Sequence, residues 1–181
     1  MTQQAMINYP FKELEAALVA RSPRMAQRLQ PGLPEARVRK RLQRAKVDGA
    51  IEPIVQLYCW KNGTNLGWDL DRDEDRFFPG QIAYFFTELE RAVNDCGFFK
   101  EAAENYPALS EAVGRYFPFL WNGATKWMAL DLDPSARNRI LTADSQSDHA
   151  FREAYSSFGD FIADVIRANS ENVALRCFQN G

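Results

Sequence analysis

The spacing of hydrophobic and polar positions predicts that the chain opens with four short helices. Pro10, Pro23 and Pro34 stand where the first turn of a helix tolerates proline, and Ser22 can cap the second helix. The fourth helix, around IEPIVQLYCW, should end at Asn62-Gly63, because these residue types suit a left-handed helix cap. The first third of the sequence is therefore expected to be helical.

Aromatic runs in the middle of the chain predict short strands, followed by a longer helix. Segments 65–70 and 76–86 are rich in aromatic residues and bounded by turn residues, a pattern typical of strands. Thr87 and Glu90 have the spacing of a capping box, in which each side chain bonds the other residue's backbone amide. This signal predicts that a helix extends from Thr87 to about Glu104.

A β-hairpin is predicted where segments 116–121 and 125–132 flank Asn122-Gly123, because a type I′ turn needs positive φ at both central residues. Successive side chains of a strand point to opposite faces of the sheet. In the second strand, one face carries Met128, Leu130 and Leu132, and the other carries Trp127, Ala129, Asp131 and Asp133. We expect the first face to meet the core and the acidic face to meet solvent.

The last segment, AYSSFGDFIADVIRA, has apolar residues three and four apart and predicts a helix that packs on the sheet. A length of 181 residues fits one domain. The sequence therefore predicts a single α+β domain over residues 1–181. Its antiparallel sheet should have about four to six strands, packed against N-terminal, central and C-terminal helices.

Composition narrows the class of protein. The apolar share of 46% and the charged share of 25% are ordinary for a soluble globular protein. No stretch is long and apolar enough for a membrane span, and the start lacks the pattern of a signal peptide. Three cysteines without a C-x-x-C motif indicate reduced thiols, and neither a disulfide framework nor a zinc site. We expect a cytoplasmic protein that makes no membrane contact.

Charge is distributed unevenly along the chain. Through residue 46, ten Lys or Arg stand against three Glu, a balance of +7, and the remaining 12 basic and 21 acidic residues give −9. The basic stretch 34–46 is itself predicted to be a helix, which could bind nucleic-acid phosphates. No aromatic residues, however, lie between its cations to stack on bases. The chain as a whole is also acidic, with a net charge of −2. A solvated helix face is favoured over a nucleic-acid site.

The segment DLDRDED, residues 69–75, is a concentrated acidic run. It matches a calcium loop at its first three ligand positions, but Glu74 replaces the required glycine and Gly80 the required glutamate. Clustered charge steers association with an oppositely charged partner, and flanking rings supply buried contact. The run therefore indicates a docking surface for a basic protein, with a solvated loop as the alternative. The candidate partner-binding residues are Trp68, Asp69, Asp71, Asp73, Glu74, Asp75 and Phe77.

Catalytic chemistry finds little support in the sequence. Asp131 and Asp133 would place their carboxylates roughly 6–7 Å apart on one strand face. Nothing nearby nominates the third group that a metal site or a glycosidase pair needs. His149 is the only histidine, Cys59 lies in an apolar helix, and no nucleophile turn, phosphate-binding loop or zinc motif occurs. We expect a binding protein without a cofactor, and a carboxylate-dependent hydrolase is the alternative.

The order of five segments resembles the SUKH superfamily, which includes regulators of cell-wall assembly. The segments are LQPGLPEARVRKRL, IVQLYCWKNGT, FFPGQIAYFFTELERA, FPFLWNGATKWMALDLDP and SSFGDFIADVI. The resemblance covers residues 29–168, after an N-terminal helical extension over 1–28. Gly63 matches the family's helix-ending glycine, and Asp131-Leu132 matches its strand-end pair. Pro53 stands later than the family's proline, and the segment 96–116 is longer than in a minimal member.

The resemblance implies an α+β domain that has no catalytic centre. Bacterial members of the superfamily are commonly immunity proteins, which bind and neutralise toxins, often nucleases, of interbacterial competition systems. Eukaryotic members resemble intracellular adaptors. For this chain, the resemblance implies a cognate toxin as the protein partner, or an adaptor role as the alternative. It also makes Asp131, and Asp133 beside it, candidates for partner contact.

Overall fold

The computed structural model of the chain describes residues 8–65, 76–80, 83–104, 110, 112–144 and 151–179. The helices in this part are α1 (Phe11–Arg21), α2 (Pro23–Arg28), α3 (Glu35–Arg44), α4 (Glu52–Trp60), α5 (Leu89–Ala103) and α6 (Phe158–Glu171). The strands are β1 (Leu29–Pro31), β2 (Lys61–Thr64), β3 (Phe85–Phe86), β4 (Tyr116–Trp121), β5 (Lys126–Asp131), β6 (Ile140–Asp144) and β7 (Phe151–Tyr155). The four N-terminal helices and the C-terminal helix are confirmed. The predicted end of the fourth helix is wrong, because α4 ends at Trp60 and Asn62-Gly63 lies in strand β2.

The strands form two antiparallel sheets. The larger sheet has five strands in the order β3-β4-β5-β6-β7, so that each strand pairs with its neighbours in the sequence. The smaller sheet pairs β1 with β2. The fold is therefore α+β with an antiparallel main sheet, as the sequence predicts.

Most of the helices pack on one face of the five-stranded sheet. The larger of two hydrophobic clusters joins Leu14 and Leu18 of α1 to Phe161 and Val165 of α6 and to the apolar face of β5. That face supplies Met128, Leu130 and Leu132, as predicted. Fully burying each such side chain contributes about 1.5–3 kcal/mol, so this cluster is the main source of stability.

The opposite face of β5 is also buried, and its predicted exposure to solvent is wrong. Trp127 and Ala129 belong to a second hydrophobic cluster, which Phe99 of α5 and Ala112 cover. Asp131, on the same face, is 0% exposed. The sequence pattern misleads here because two segments outside the hairpin cover a face that carries a charged residue.

Helix α5 begins at Leu89, and the predicted capping box does not form. The Thr87 hydroxyl donates to the Phe119 carbonyl at 2.9 Å, and the Glu90 carboxylate pairs with Arg41 at 2.7 Å. The amide of Leu89 instead donates to Oδ1 of Asn62 at 3.2 Å. The side chains of Thr87 and Glu90 thus bond residues that are distant in sequence, and not each other's backbone amides.

The predicted hairpin is confirmed, but its turn is longer than a two-residue type I′ turn. The amide of Asn122 donates to the Lys126 carbonyl at 3.0 Å, so the loop includes residues 123–125. Gly123 has a φ of +84°, whereas Asn122 is not among the residues with positive φ. Oδ1 of Asn122 accepts the amides of Ala124 and Lys126, at 3.0 and 2.9 Å, and so closes the turn from within.

The predicted strand over 76–86 is much shorter in the structure. Only Phe85–Phe86 is a strand in the described part of this segment, and residues 76–78 are bent. Phe77 and Phe78 are nevertheless 2% and 0% exposed. The aromatic residues of segment 76–86 therefore indicate burial in the core, and they do not indicate a continuous strand.

Candidate interaction surface

Most of the predicted partner-binding surface lies outside the described residues. Trp68, Asp69, Asp71, Asp73, Glu74 and Asp75 belong to this group. So do the single histidine, His149, and the polar residues just before it. The described structure nevertheless fixes the two points, Asn65 and Arg76, between which the sequence places the acidic run 69–75.

The chain enters this segment from β2, beside the end of α2. Leu29 of β1 pairs with Thr64, and the amide of Asn65 donates to the Arg28 carbonyl at 2.9 Å. Thr64 is only 3% exposed. Backbone pairing and burial therefore fix the chain immediately before the acidic run.

The chain returns from this segment between α1 and α6. Arg21 donates to the Arg76 carbonyl and also to Oδ1 of Asn169. The amide of Phe77 donates to the Tyr84 carbonyl at 3.0 Å, and Nδ2 of Asn169 donates to the Phe77 carbonyl at 3.3 Å. The Phe77 side chain is in the core, packed against Phe78 and Phe86. Phe77 therefore anchors the return of the chain and does not present its ring at the surface.

Asp131 lies at the centre of a buried ion-pair cluster. Its carboxylate accepts from Nε and Nη2 of Arg115 at 3.1 and 3.0 Å, from Nε of Arg139 at 2.8 Å and from the amide of Asp133 at 3.0 Å. Burial alone would raise the pKa of Asp131, but these hydrogen bonds lower it below its ordinary value. The side chain is therefore a charged, fully bonded structural element beneath two arginines.

Asp133 has a different environment, although it is only two residues away. Its side chain is 40% exposed, and its Oδ1 accepts from the amide and hydroxyl of Ser135 at 2.9 and 2.7 Å. These bonds from Ser135 lower the pKa of Asp133. Asp131 thus belongs to an ion-pair cluster, and Asp133 caps a turn. A catalytic acid, in contrast, needs a raised pKa and a position in an accessible cleft. The contacts indicate a structural role for Asp131 and Asp133.

Two further buried aspartates were not singled out by the sequence. Asp164 of α6 accepts from the Tyr155 hydroxyl at 2.7 Å, from Nε of Arg167 at 2.7 Å and from the amide of Arg176 at 2.8 Å. Asp164 thereby joins α6 to β7 and to the C-terminal segment. The i,i+3 spacing of Asp164 and Arg167 is the only sequence signal that could have identified this cluster.

Asp95 is the second buried aspartate and contacts Trp127 of the second hydrophobic cluster. Its carboxylate accepts from Nε1 of Trp127 at 3.1 Å and from Nε of Arg91 at 2.9 Å. Burial raises its pKa, in contrast to Asp131 and Asp164, because these two partners offset the loss of water only in part.

The buried aspartates predict how stability depends on pH. A carboxyl group with a depressed folded-state pKa adds stability above its unfolded-state pKa and loses it as the pH falls through the folded-state value. Hydrogen bonds from Arg167, the Arg176 amide and Tyr155 outweigh the effect of burial and depress the pKa of Asp164. We therefore expect the free energy of unfolding to fall as the pH drops below about 4. The raised pKa of Asp95 contributes with the opposite sign.

Urea unfolding at a series of acidic and neutral pH values measures this dependence. The Asp164→Asn variant should lose less stability on acidification than the wild type, and Asp95→Asn should lose more. Equal acid sensitivity in all three proteins would contradict this assignment of the titrating groups.

The thiols and the metal-ligand residues show no reactive grouping in the described part of the chain. Burial raises the pKa of Cys59 and Cys177, and raises that of Cys96 to about 12, so that all three remain thiols at neutral pH. Within the described ranges, no three His, Cys, Asp or Glu side chains come together as a metal site requires. No described helix combines the length and apolar character needed to cross a bilayer.

The structure therefore locates the two ends of segment 65–76, and it gives Asp131 a structural role. Comparison with known proteins adds no family to this description: no protein-family model matches the chain, and no curated protein has a significantly similar sequence.

Proposed function

We propose that this chain is a non-catalytic protein-binding domain of the immunity type, which neutralises a basic toxin, such as a nuclease, by covering its surface. The acidic run 69–75 is the proposed contact. The observation that carries the proposal is that the structure fastens both ends of this segment to the core, through Asn65 on one side and Arg76-Phe77 on the other.

The fixed ends of the segment bear on affinity, because a surface that must become ordered when it binds loses conformational entropy and so binds more weakly. Thr64 and Phe77 are 3% and 2% exposed, so burial as well as hydrogen bonding holds the two ends. In general, fixing the two ends of a chain segment lowers the conformational entropy that is lost when the segment binds. This reduces the entropic cost of a protein complex.

The charge of the segment indicates the chemistry of the partner. Five acids stand in seven residues, with one arginine among them. Such a concentration attracts a basic surface over about a Debye length and accelerates encounter at low salt. Toxins that act on nucleic acid need basic surfaces of their own, because phosphate neutralisation supplies much of their affinity. A cytoplasmic inhibitor of such a toxin would meet it before it reaches its substrate.

The fate of the predicted catalytic carboxylates supports binding over hydrolysis. Asp131 is 0% exposed and fully bonded, and Asp133 caps a turn. Neither is available to a substrate as a general acid. The adaptor alternative uses the same surface, and it is distinguished by the partner that the chain captures.

The test uses the partner recovered by capture from the native organism and identified by mass spectrometry. Replacing Asp69, Asp71 and Asp73 together with asparagine should lower its affinity for a basic toxin by about tenfold or more, and should flatten the dependence of affinity on salt. Calorimetry or biosensor titration across a salt series measures both effects.

A matched control carries the same change of net charge elsewhere. Glu13, Glu101 and Glu104 are exposed acids outside the segment, and their joint replacement with glutamine should leave affinity almost unchanged. If the two triple variants bind equally well, the acidic run is not the contact. If the captured partner is not a toxin, the adaptor role replaces the immunity role.

A further inference from the structure

A groove far from the acidic run in sequence lies between the end of α3 and one face of α5. It encloses about 410 Å³, within the range of ~300–1,000 Å³ that is typical of small-molecule pockets. Its lining residues are Arg41, Ala45, Lys46, Val47, Val93, Cys96, Gly97, Lys100, Val113, Gly114, Tyr116 and Leu132.

The floor of the groove is apolar and belongs to the core. Val47 and Val93 are each 8% exposed, and Leu132 is 4% exposed. Val113 at the rim is 41% exposed, one of the most exposed large hydrophobic side chains in the described structure. A ligand with an apolar part would therefore remove hydrophobic surface from water.

Helix α5 supplies one wall of the groove and leaves space in it. Val93, Gly97 and Lys100 are four and three residues apart and so lie on one helix face. Apart from its chain neighbours and the backbone of its own helix, a Cβ atom added at Gly97 would meet no heavy atom of the described residues within 4 Å. The glycine therefore keeps this wall open where a larger side chain would enter the groove.

The charge of the lining has one sign. Arg41, Lys46 and Lys100 line the groove, and no described acidic residue does. Arg41 uses its Nε to bind Glu90 at 2.7 Å. Neither lysine forms an ion pair in the part of the chain that the structure describes, and both are exposed at the rim. An anionic head group would find uncompensated cations beside an apolar floor.

We infer that this groove binds a small amphiphilic anion, with a carboxylate or phosphate head near Lys46 and Lys100 and a short aliphatic chain over Val47, Val93 and Leu132. The apolar floor and the cationic rim are the two features that such a ligand needs. The inference is independent of the proposed toxin contact, because the groove shares no residue with segment 65–76.

The test titrates the full chain with decanoate below its micelle concentration and follows the amide and Val113 methyl signals by NMR. Decanoate should bind and shift the signals of the lining residues, whereas neutral decanol should bind at least about fivefold more weakly, because it lacks the charge. Decyl phosphate in a parallel titration identifies the preferred head group.

Two variants test separately the contribution of the lysine charges and that of the open space beside Gly97. Lys46→Gln with Lys100→Gln should weaken decanoate binding by about tenfold, and Gly97→Leu should abolish it by filling the groove. Lys40→Gln with Arg44→Gln, which removes two exposed cations of α3 outside the groove, is the matched control and should bind as the wild type does.

The lysines also lie near helix C-termini, where a cation stabilises the helix, so a loss of stability alone does not report ligand binding. The binding readout distinguishes the two roles. If neither decanoate nor decyl phosphate shifts the lining signals, or if the lysine and Gly97 variants bind as tightly as the control, the groove is not an anion site.

Discussion

Replacing Asp131 with alanine is expected to lower the free energy of unfolding by about 3 kcal/mol. The substitution removes a carboxylate that is 0% exposed and leaves Arg115 and Arg139 without the anion that they share. Breaking a buried pair from one side costs about 3–5 kcal/mol, and the lower value applies because these arginine side chains are 35% and 29% exposed and retain water. Urea unfolding followed by circular dichroism measures the change.

Asp133 provides the control for this prediction, since it lies on the same strand end and has the same charge. Asp133→Asn should cost much less, because the side chain is exposed and pairs with Arg115 only at 4.0 Å. Asp131→Asn should fall between the two, since an amide oxygen keeps one of the acceptor positions. If Asp131→Ala and Asp133→Asn lowered the free energy of unfolding equally, burial would not determine how much these residues contribute to stability.

Gly63→Ala is expected to destabilise the protein by about 3 kcal/mol or more. Gly63 has a φ of +83°, a conformation that costs an alanine strain. Its added Cβ would also lie 2.5 Å from the amide nitrogen of Glu88, a contact that only a backbone shift could relieve. That shift would disturb the bond from the Leu89 amide to Asn62, which starts α5.

Gly97→Ala is the matched control, because it makes the same substitution where both causes of strain are absent. Gly97 lies inside α5, and outside that helix its Cβ would meet no atom of the described residues within 4 Å. Alanine is favoured over glycine inside a helix by about 0.5–1 kcal/mol, so this variant should be slightly stabilised. A similar loss for both variants, measured by urea unfolding, would contradict the proposed role of Gly63.

The elements that could be predicted from the sequence are those with a sustained period. In α6, Phe158, Phe161 and Ile162 follow the helical spacing, and all three are buried. In β5 the alternation assigns each residue to the correct face. These patterns are reliable because they arise from the geometry of the element itself.

The elements that were missed are short or at a sheet edge. β2 reads KNGT, a run whose asparagine and glycine favour a turn, and tertiary pairing with β1 makes it a strand. β7 reads FREAY, where the polar pair Arg152-Glu153 hides the alternation of an edge strand. Neighbours in space determine both strands.

The candidate site was predicted only in part, for a related reason. The charge of the run 69–75 is a local property and can be read from the sequence. The burial of Asp131 depends on Arg115 and Arg139, which are sixteen and eight residues away, and the position of Phe77 depends on Asn169, 92 residues away. No local pattern reports contacts of this range.

The two buried faces of β5 have a consequence for how the sheet selects its alignment. A slip of one residue against β4 would move the Asp131 carboxylate among the leucines of the larger cluster and bring Leu130 beneath the arginines. Every side chain of the strand would change faces at once. The misaligned sheet would bury the Asp131 carboxylate without the arginines that now neutralise it. The salt-bridged aspartate thus penalises wrong pairings during folding, a task that an all-aliphatic strand could not perform.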